Sequence, residues 1–183
     1  AEDIRSESGK SGLVHIIGSA ANTCKIVDCY HVGLWATVAL SYADITTGGK
    51  QINGVTSYYI SDGTGSWITG CYARGTGSGI LVGSSAEDVK ILNNEIITCY
   101  DNCIYLSSAT RAVVTGNKTV NAPHGAGIKL RDVGGSIVNN NTANDCNIGI
   151  TLSGANGLSP DAYGAIGAMT TVDGNSIFDC AIG

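Results

Sequence analysis

Residues 127–141 read GIKLRDVGGSIVNNN, and the fold is decided in this stretch. Ile128 and Leu130 alternate with Lys129 and Arg131, the in-and-out period of a β-strand. A turn follows, then a second short apolar phrase that ends on Asn141 with Val138 three positions before it. The same phrase stands at 103–117 as CIYLSSATRAVVTGN and at 79–94 as GILVGSSAEDVKILNN. Outward from there, paired apolar positions recur as Val38/Leu40, Tyr58/Ile60, Ile80/Val82, Ile104/Leu106, Ile128/Leu130 and Ile150/Leu152, every 20 to 24 residues. A second ladder keeps step with it: Cys29, Cys71, Asn94, Asn117, Asn141 and Asn175. Each member has an aliphatic residue three positions earlier (Ile26, Ile68, Ile91, Val114, Val138, Val172). Two registers that repeat together define one unit stacked many times.

The unit is built of short strands. The chain has 26 glycines in 183 residues and no long run of apolar residues at helical spacing. Stacking brings equivalent residues of successive coils over one another at about 4.8 Å, so inward columns must share size and polarity. Aliphatic residues stack on aliphatic residues. An inward Asn uses its amide to bond its neighbours, and Cys is a small apolar residue that fits where that column begins. The register therefore predicts that Asn94, Asn117, Asn141 and Cys71 are buried.

The phrases VKILNN (89–94), AVVTGN (112–117), SIVNNN (136–141) and TVDGN (171–175), alternating with GILV (79–82), CIYL (103–106), GIKL (127–130) and GITL (149–152), resemble the pectate-lyase-like superfamily. The resemblance implies an all-β fold, a right-handed parallel β-helix solenoid of about eight coils of 20–24 residues. Residues 1–11 are expected as a lead-in or cap and 12–183 as the β-helix. A loop inserted around 154–168 interrupts the period between Leu152 and Val172, and such loops commonly wall a groove. Ala181, Ile182 and Gly183 fall on the register of a further coil, which suggests a fragment of a longer solenoid.

Composition narrows the function. Apolar content of 43% with 14% charge suits one solenoid with a polar skin, and a net charge of −5 argues against a nucleic-acid surface. No apolar run reaches the length of a membrane span, and Ala1–Lys10 has no signal-peptide pattern. The seven cysteines are an odd number spread over repeat positions, which reads as free buried thiols and folding in a reducing cytoplasm. Cys24/Cys29 and Cys99/Cys103 are spaced without a neighbouring His, so neither a metal site nor a cofactor is expected. The sequon at Asn117 sits on the inward ladder, where no glycan fits.

Chemistry belongs on the outward positions. One outward column is Tyr59, Leu81, Tyr105, Lys129 and Thr151, and the next holds Ser107, Arg131 and Ser153. Lys129 and Arg131 thus share a face, about 7 Å apart, with Tyr105 one coil away. Where the turn enters this strand, His124 follows Tyr100 in one column, and Asp101 lies beside them. Asp145 and Asp132 complete the candidate patch. Elimination on a uronate polymer needs a cation for the carboxylate, here Arg131, and a base for the C5 proton: Lys129, Tyr105 or His124. Hydrolysis needs two carboxylates. Asp101 and Asp145 would stand roughly 10 Å apart, at or beyond the upper edge of the inverting range. Solvated surface charges and a plain Arg131–Asp132 ion pair are the alternative for the same residues.

Among parallel β-helices, the chain looks most like the body of a bacteriophage tailspike or polysaccharide depolymerase. That resemblance implies a homotrimer carried on the virion tail that binds or cuts a bacterial surface polysaccharide; the outward columns offer Tyr59, Tyr105 and Asp132 to touch the sugar. A secreted bacterial polysaccharide lyase or epimerase is the second reading. A carbohydrate-binding or structural spacer is the third.

Overall fold

In the computed structural model, the backbone is described for residues 5–9, 14–15, 25–27, 30–33, 38–40, 45–47, 50–60, 64–83, 86–153 and 170–182. Side chains are described for 56–60, 64–83, 86–152 and 170–182. Every element among these residues is a strand. In chain order they are β1 (Arg5–Gly9), β2 (Val14–His15), β3 (Lys25–Val27), β4 (Tyr30–Gly33), β5 (Val38–Leu40), β6 (Ile45–Thr47), β7 (Lys50–Ile60), β8 (Trp67–Thr69), β9 (Tyr72–Val82), β10 (Lys90–Leu92), β11 (Glu95–Cys99), β12 (Ile104–Ser107), β13 (Val113–Thr115), β14 (Lys118–Arg131), β15 (Ile137–Asn139), β16 (Thr142–Ser153), β17 (Thr171–Asp173) and β18 (Ser176–Phe178).

Each strand pairs in parallel with its counterpart one coil away, which makes the chain a parallel β-solenoid. The longer sheet follows β1-β4-β7-β9-β11-β14-β16-β18, with β2, β5 and β12 alongside. The other follows β17-β15-β13-β10-β8-β6-β3. The register is the one written in the sequence: Tyr58, Ile80, Ile104, Ile128 and Ile150 lie in one row, and Ile68, Ile91, Val114, Val138 and Val172 in another. The inward members from Tyr58 through Leu130 are fully buried. Leu152, Val172 and Ile177 hold inward positions yet stay exposed, because no described coil lies over them.

The Asn column is saturated with hydrogen bonds. The amide Nδ2 of Asn117 donates to Asn141 Oδ1 at 2.9 Å and to the Ile91 carbonyl at 2.8 Å. Its Oδ1 accepts from the backbone N–H of Asn94 at 3.0 Å and from Asn94 Nδ2 at 2.9 Å. Asn141 repeats the pattern with Asn175. Cys71 stands at the foot of this column, and its N–H donates to Asn94 Oδ1 at 2.9 Å.

Corners of the coil show a second regularity. Gly65, Asp88, Arg111 and Gly135 have positive φ, as do Gly70, Asn93, Gly116, Asn140 and Gly174, and Gly75, Thr98, Asn121, Asp145 and Asp179. Each group is one stacked corner, where the backbone takes a left-handed turn that Gly, Asn and Asp accept most readily. The inserted loop expected at 154–168 lies outside the described residues, as do the side chains of Cys24, Cys29 and the first two histidines.

Candidate functional site

Strand β14 carries the candidate cluster. Its burial alternates from Ile128 to Arg131, so Lys129 and Arg131 project outward from one edge while Ile128 and Leu130 anchor the strand inside. Parallel pairing sets Tyr105 opposite Lys129 and Ser107 opposite Arg131. The Lys129 ammonium stands 5.3 Å from the centre of the Tyr105 ring. Arg131 is held above its ordinary pKa, first by its hydrogen bond to the Tyr105 oxygen and further by the negative charge of Asp132. Its Nε lies 3.4 Å from Asp132 Oδ2. Asp132 itself turns a corner with φ 53, and its Oδ1 is buried without a hydrogen-bond partner. Tyr105, Lys129, Arg131 and Asp132 are therefore one contiguous group. Tyr59 and Leu81 continue the Tyr105 column in register.

The remaining candidates form a second group. Residues 123–125 bulge out of β14, since Ala122 pairs with Cys146 and Ala126 with Ile148 while only Asn147 spans the facing coil. The His124 ring meets Tyr100 at 4.7 Å between centroids, tilted 47°. Tyr100 is 69% exposed. Asp101 passes beneath Gly125, where an added Cβ would come within 2.4 Å of the Asp101 carbonyl oxygen. An extended strand separates His124 from Lys129 by up to about 16 Å at about 3.3 Å per residue. Tyr100, absent from the expected site residues, was detectable as the column mate of His124. Asp145 sits apart, at the corner it shares with Thr98 and Asn121. The structure thus puts Asp101 and Asp145 in different columns.

Four thiols form a third grouping, inside the coil. Thr76 and Cys99 pair directly, and continuation of the registers adds Ala122, Cys146 and Cys180 to that inward column. Cys103 comes from the neighbouring column, whose other members are Gly79, Gly127 and Gly149. It reaches between Cys99 and Cys146 and interacts with both. Its role as donor lowers the Cys99 thiol and, with help from the Ala122 backbone and Cys180, brings Cys146 to about 7. Cys103 is raised in turn by Cys146, Cys99 and burial. Burial also raises Cys180. All of these cysteines are free, as expected; Cys99, Cys103 and Cys146 are buried and Cys180 is partly exposed.

A family model described as "Periplasmic copper-binding protein (NosD)" matches residues 6–159. The chain belongs to that family. No curated protein matches it in sequence. Among solved structures, the periplasmic alginate epimerase AlgG is similar at 13% identity with a TM-score of 0.58, covering 86% of this chain and 50% of the epimerase. A double mutant of that enzyme gives 13% identity and a TM-score of 0.60, covering 86% and 49%. A single mutant gives 14% and 0.54. These likenesses establish the parallel β-helix fold, and the chain spans about half the length of the structures it matches.

The NosD description raises the question of copper. Among the described residues no three His, Cys, Asp or Glu side chains converge to hold a metal ion. Cys99, Cys103, Cys146 and Cys180 interact with one another as thiols, and among the described residues they do not gather the ligands of a metal centre.

Proposed function

We propose that the outer face of β12 and β14 binds an acidic polysaccharide of the uronate type, with Arg131 and Lys129 facing its carboxylate and the Tyr105 ring facing the sugar. The observation that carries this reading is the joining of two cations to one aromatic ring on a rigid strand, in a chain of net charge −5. A planar guanidinium fits a carboxylate through paired donors, and a tyrosine ring offers an apolar face to a pyranose. An extended polymer crossing the coil would also pass the exposed Tyr100–His124 pair.

The chemistry this arrangement suits is removal of the proton at C5 of a uronate. Neutralising the carboxylate lowers the cost of the carbanionic charge, and Tyr105, Lys129 or His124 accepts the proton. Return of a proton to the other face inverts C5, while departure of the group at C4 gives elimination. Hydrolysis is less well supported, because Asp101 and Asp145 occupy different columns. The NosD description and the alginate epimerase likeness support a periplasmic or secreted bacterial setting over a virion tail. Among the described residues no helix is long and apolar enough to cross a membrane.

Affinity electrophoresis through alginate, polygalacturonate and dextran tests the reading. Retardation by the two polyuronates and not by dextran, reduced at least tenfold in Arg131→Ala, is expected. Equal mobility in all three gels would overturn it. Proton NMR in heavy water then separates exchange at C5 from elimination.

A further inference from the structure

We infer that the polymer bound by the β12 and β14 face is a heteropolysaccharide that lies lengthwise on the solenoid and presents an isolated uronate, one carboxylate flanked by neutral sugars. The inference rests on the reading of that face as an acidic-glycan site and narrows its substrate. It starts from the outward columns. Tyr59, Leu81, Tyr105, Lys129 and Thr151 follow one another in register on successive coils, each half-buried. In the next column Ser107 stands below Arg131 and Ser153 above it. Both cations of these columns therefore belong to one coil. The neighbouring coils bring tyrosine, leucine, serine and threonine to the same positions and no lysine or arginine.

The course of the polymer follows from what lies between the anchors. Across the strand, Gly125, Ala126, Gly127 and Ile128 separate His124 from Lys129, and all four are buried, so none of them holds a sugar. Along the axis, an outward side chain recurs at every coil, about 4.8 Å from the last, which is close to the advance of one pyranose in an extended chain. One sugar then stands over each coil. A uronate over Lys129 and Arg131 meets its cations, while its neighbours stand over Tyr105, Leu81 and Tyr59 on one side and Thr151 on the other. A homopolymer of uronates would set a further carboxylate over Tyr105 or, where alternate residues turn away, over Leu81. There it would lose water without gaining a cation, a cost that a neutral sugar escapes. The apolar face of a neutral pyranose suits both the leucine and the tyrosine rings. Asp132 sharpens the choice, since its carboxylate beside Arg131 repels a second negative charge on the same coil.

Calorimetric titration of the whole chain with three heptasaccharides tests the inference: one with a single central glucuronate among neutral hexoses, a heptagalacturonate, and maltoheptaose. The single-uronate sugar is expected to bind at least about tenfold tighter than heptagalacturonate, a comparison that needs no variant. Tyr59→Ala should weaken the single-uronate sugar at least about threefold, as the lengthwise course requires. Leu81→Arg adds a cation on a neutral coil and should bring heptagalacturonate to within about threefold of the single-uronate sugar. Heptagalacturonate binding to the wild type as tightly as the single-uronate sugar would overturn the isolated uronate and leave the acidic-glycan reading standing. Unchanged affinity in Tyr59→Ala would overturn the lengthwise course. Maltoheptaose binding as tightly as both acidic sugars would remove the acidic-glycan reading itself.

Discussion

The Lys129 ammonium and the Tyr105 ring face each other across adjacent coils, 5.3 Å from nitrogen to ring centre. The pair exists because the outward column passes from aromatic to cationic within one step of the stack. Arg131, two residues on, binds the same tyrosine through its oxygen. Tyr105→Phe keeps the ring and removes the oxygen. It should leave polyuronate binding within about threefold while abolishing C5 exchange if Tyr105 accepts the proton, since that contact strengthens in the transition state. Tyr105→Leu should lose binding as well. Comparable exchange rates for Tyr105→Phe and wild type would move the base to Lys129 or His124.

On the proposed glycan face, Asp132 would compete with a polyuronate carboxylate for Arg131. Its Oδ2 takes the guanidinium at 3.4 Å, and its buried Oδ1 has no partner. Asp132→Asn removes a negative charge from the face without changing its shape, so polyuronate affinity should rise about threefold and the melting midpoint should not fall. A fall in affinity would instead make Asp132 a sugar ligand in its own right.

Asn117 is bonded on every polar position of its amide, above and below. Asn117→Leu matches the apolar core in volume and leaves Asn94, Asn141 and the Ile91 carbonyl with unmade bonds. Each buried orphan costs about 1–3 kcal/mol, so the loss should reach about 3 kcal/mol or more in chemical denaturation. An unchanged midpoint would contradict the column.

The fold was legible in the chain because stacking repeats one environment in every coil. Ile104, Ile128 and Asn117 could each be placed by counting from their counterparts, and the outward pair Lys129 and Tyr105 followed from the same count. The bulge at Pro123–Gly125 was not legible, because it adds residues to one coil without altering its apolar ladder. That bulge displaces His124 toward Tyr100. Asp145 illustrates another limit: a left-handed corner and an outward strand position both admit Asp, so residue type alone did not separate Asp145 from Asp101. The thiol row was concealed because Cys103 belongs to a glycine column and meets Cys146 only across the coil that holds Ala122.

Arg111 occupies a left-handed corner with φ 54, in a column whose other members include Gly65 and Gly135. Its guanidinium binds Asp88 Oδ1 at 2.8 Å and Oδ2 at 2.9 Å, and Glu87 Oε2 at 2.8 Å. The Asp88 carboxyl is held below its ordinary value first by the Arg111 hydrogen bond. Since the folded-state value is depressed, this contribution is present above the unfolded carboxylate range and is lost as pH falls through the folded value. The groups are exposed, so solvent screening keeps the contribution small. Arg111→Ala loses the ion pairs and keeps the corner strain; Arg111→Gly loses the ion pairs and relieves the strain. Arg111→Gly should therefore be about 1 kcal/mol more stable than Arg111→Ala at every pH. The deficit of Arg111→Ala against wild type should shrink as pH falls below the ordinary carboxylate range toward the depressed folded value of Asp88. Melting curves of the three proteins at pH 7 and pH 3 would show both effects, and a deficit independent of pH would exclude Asp88 as the partner that matters.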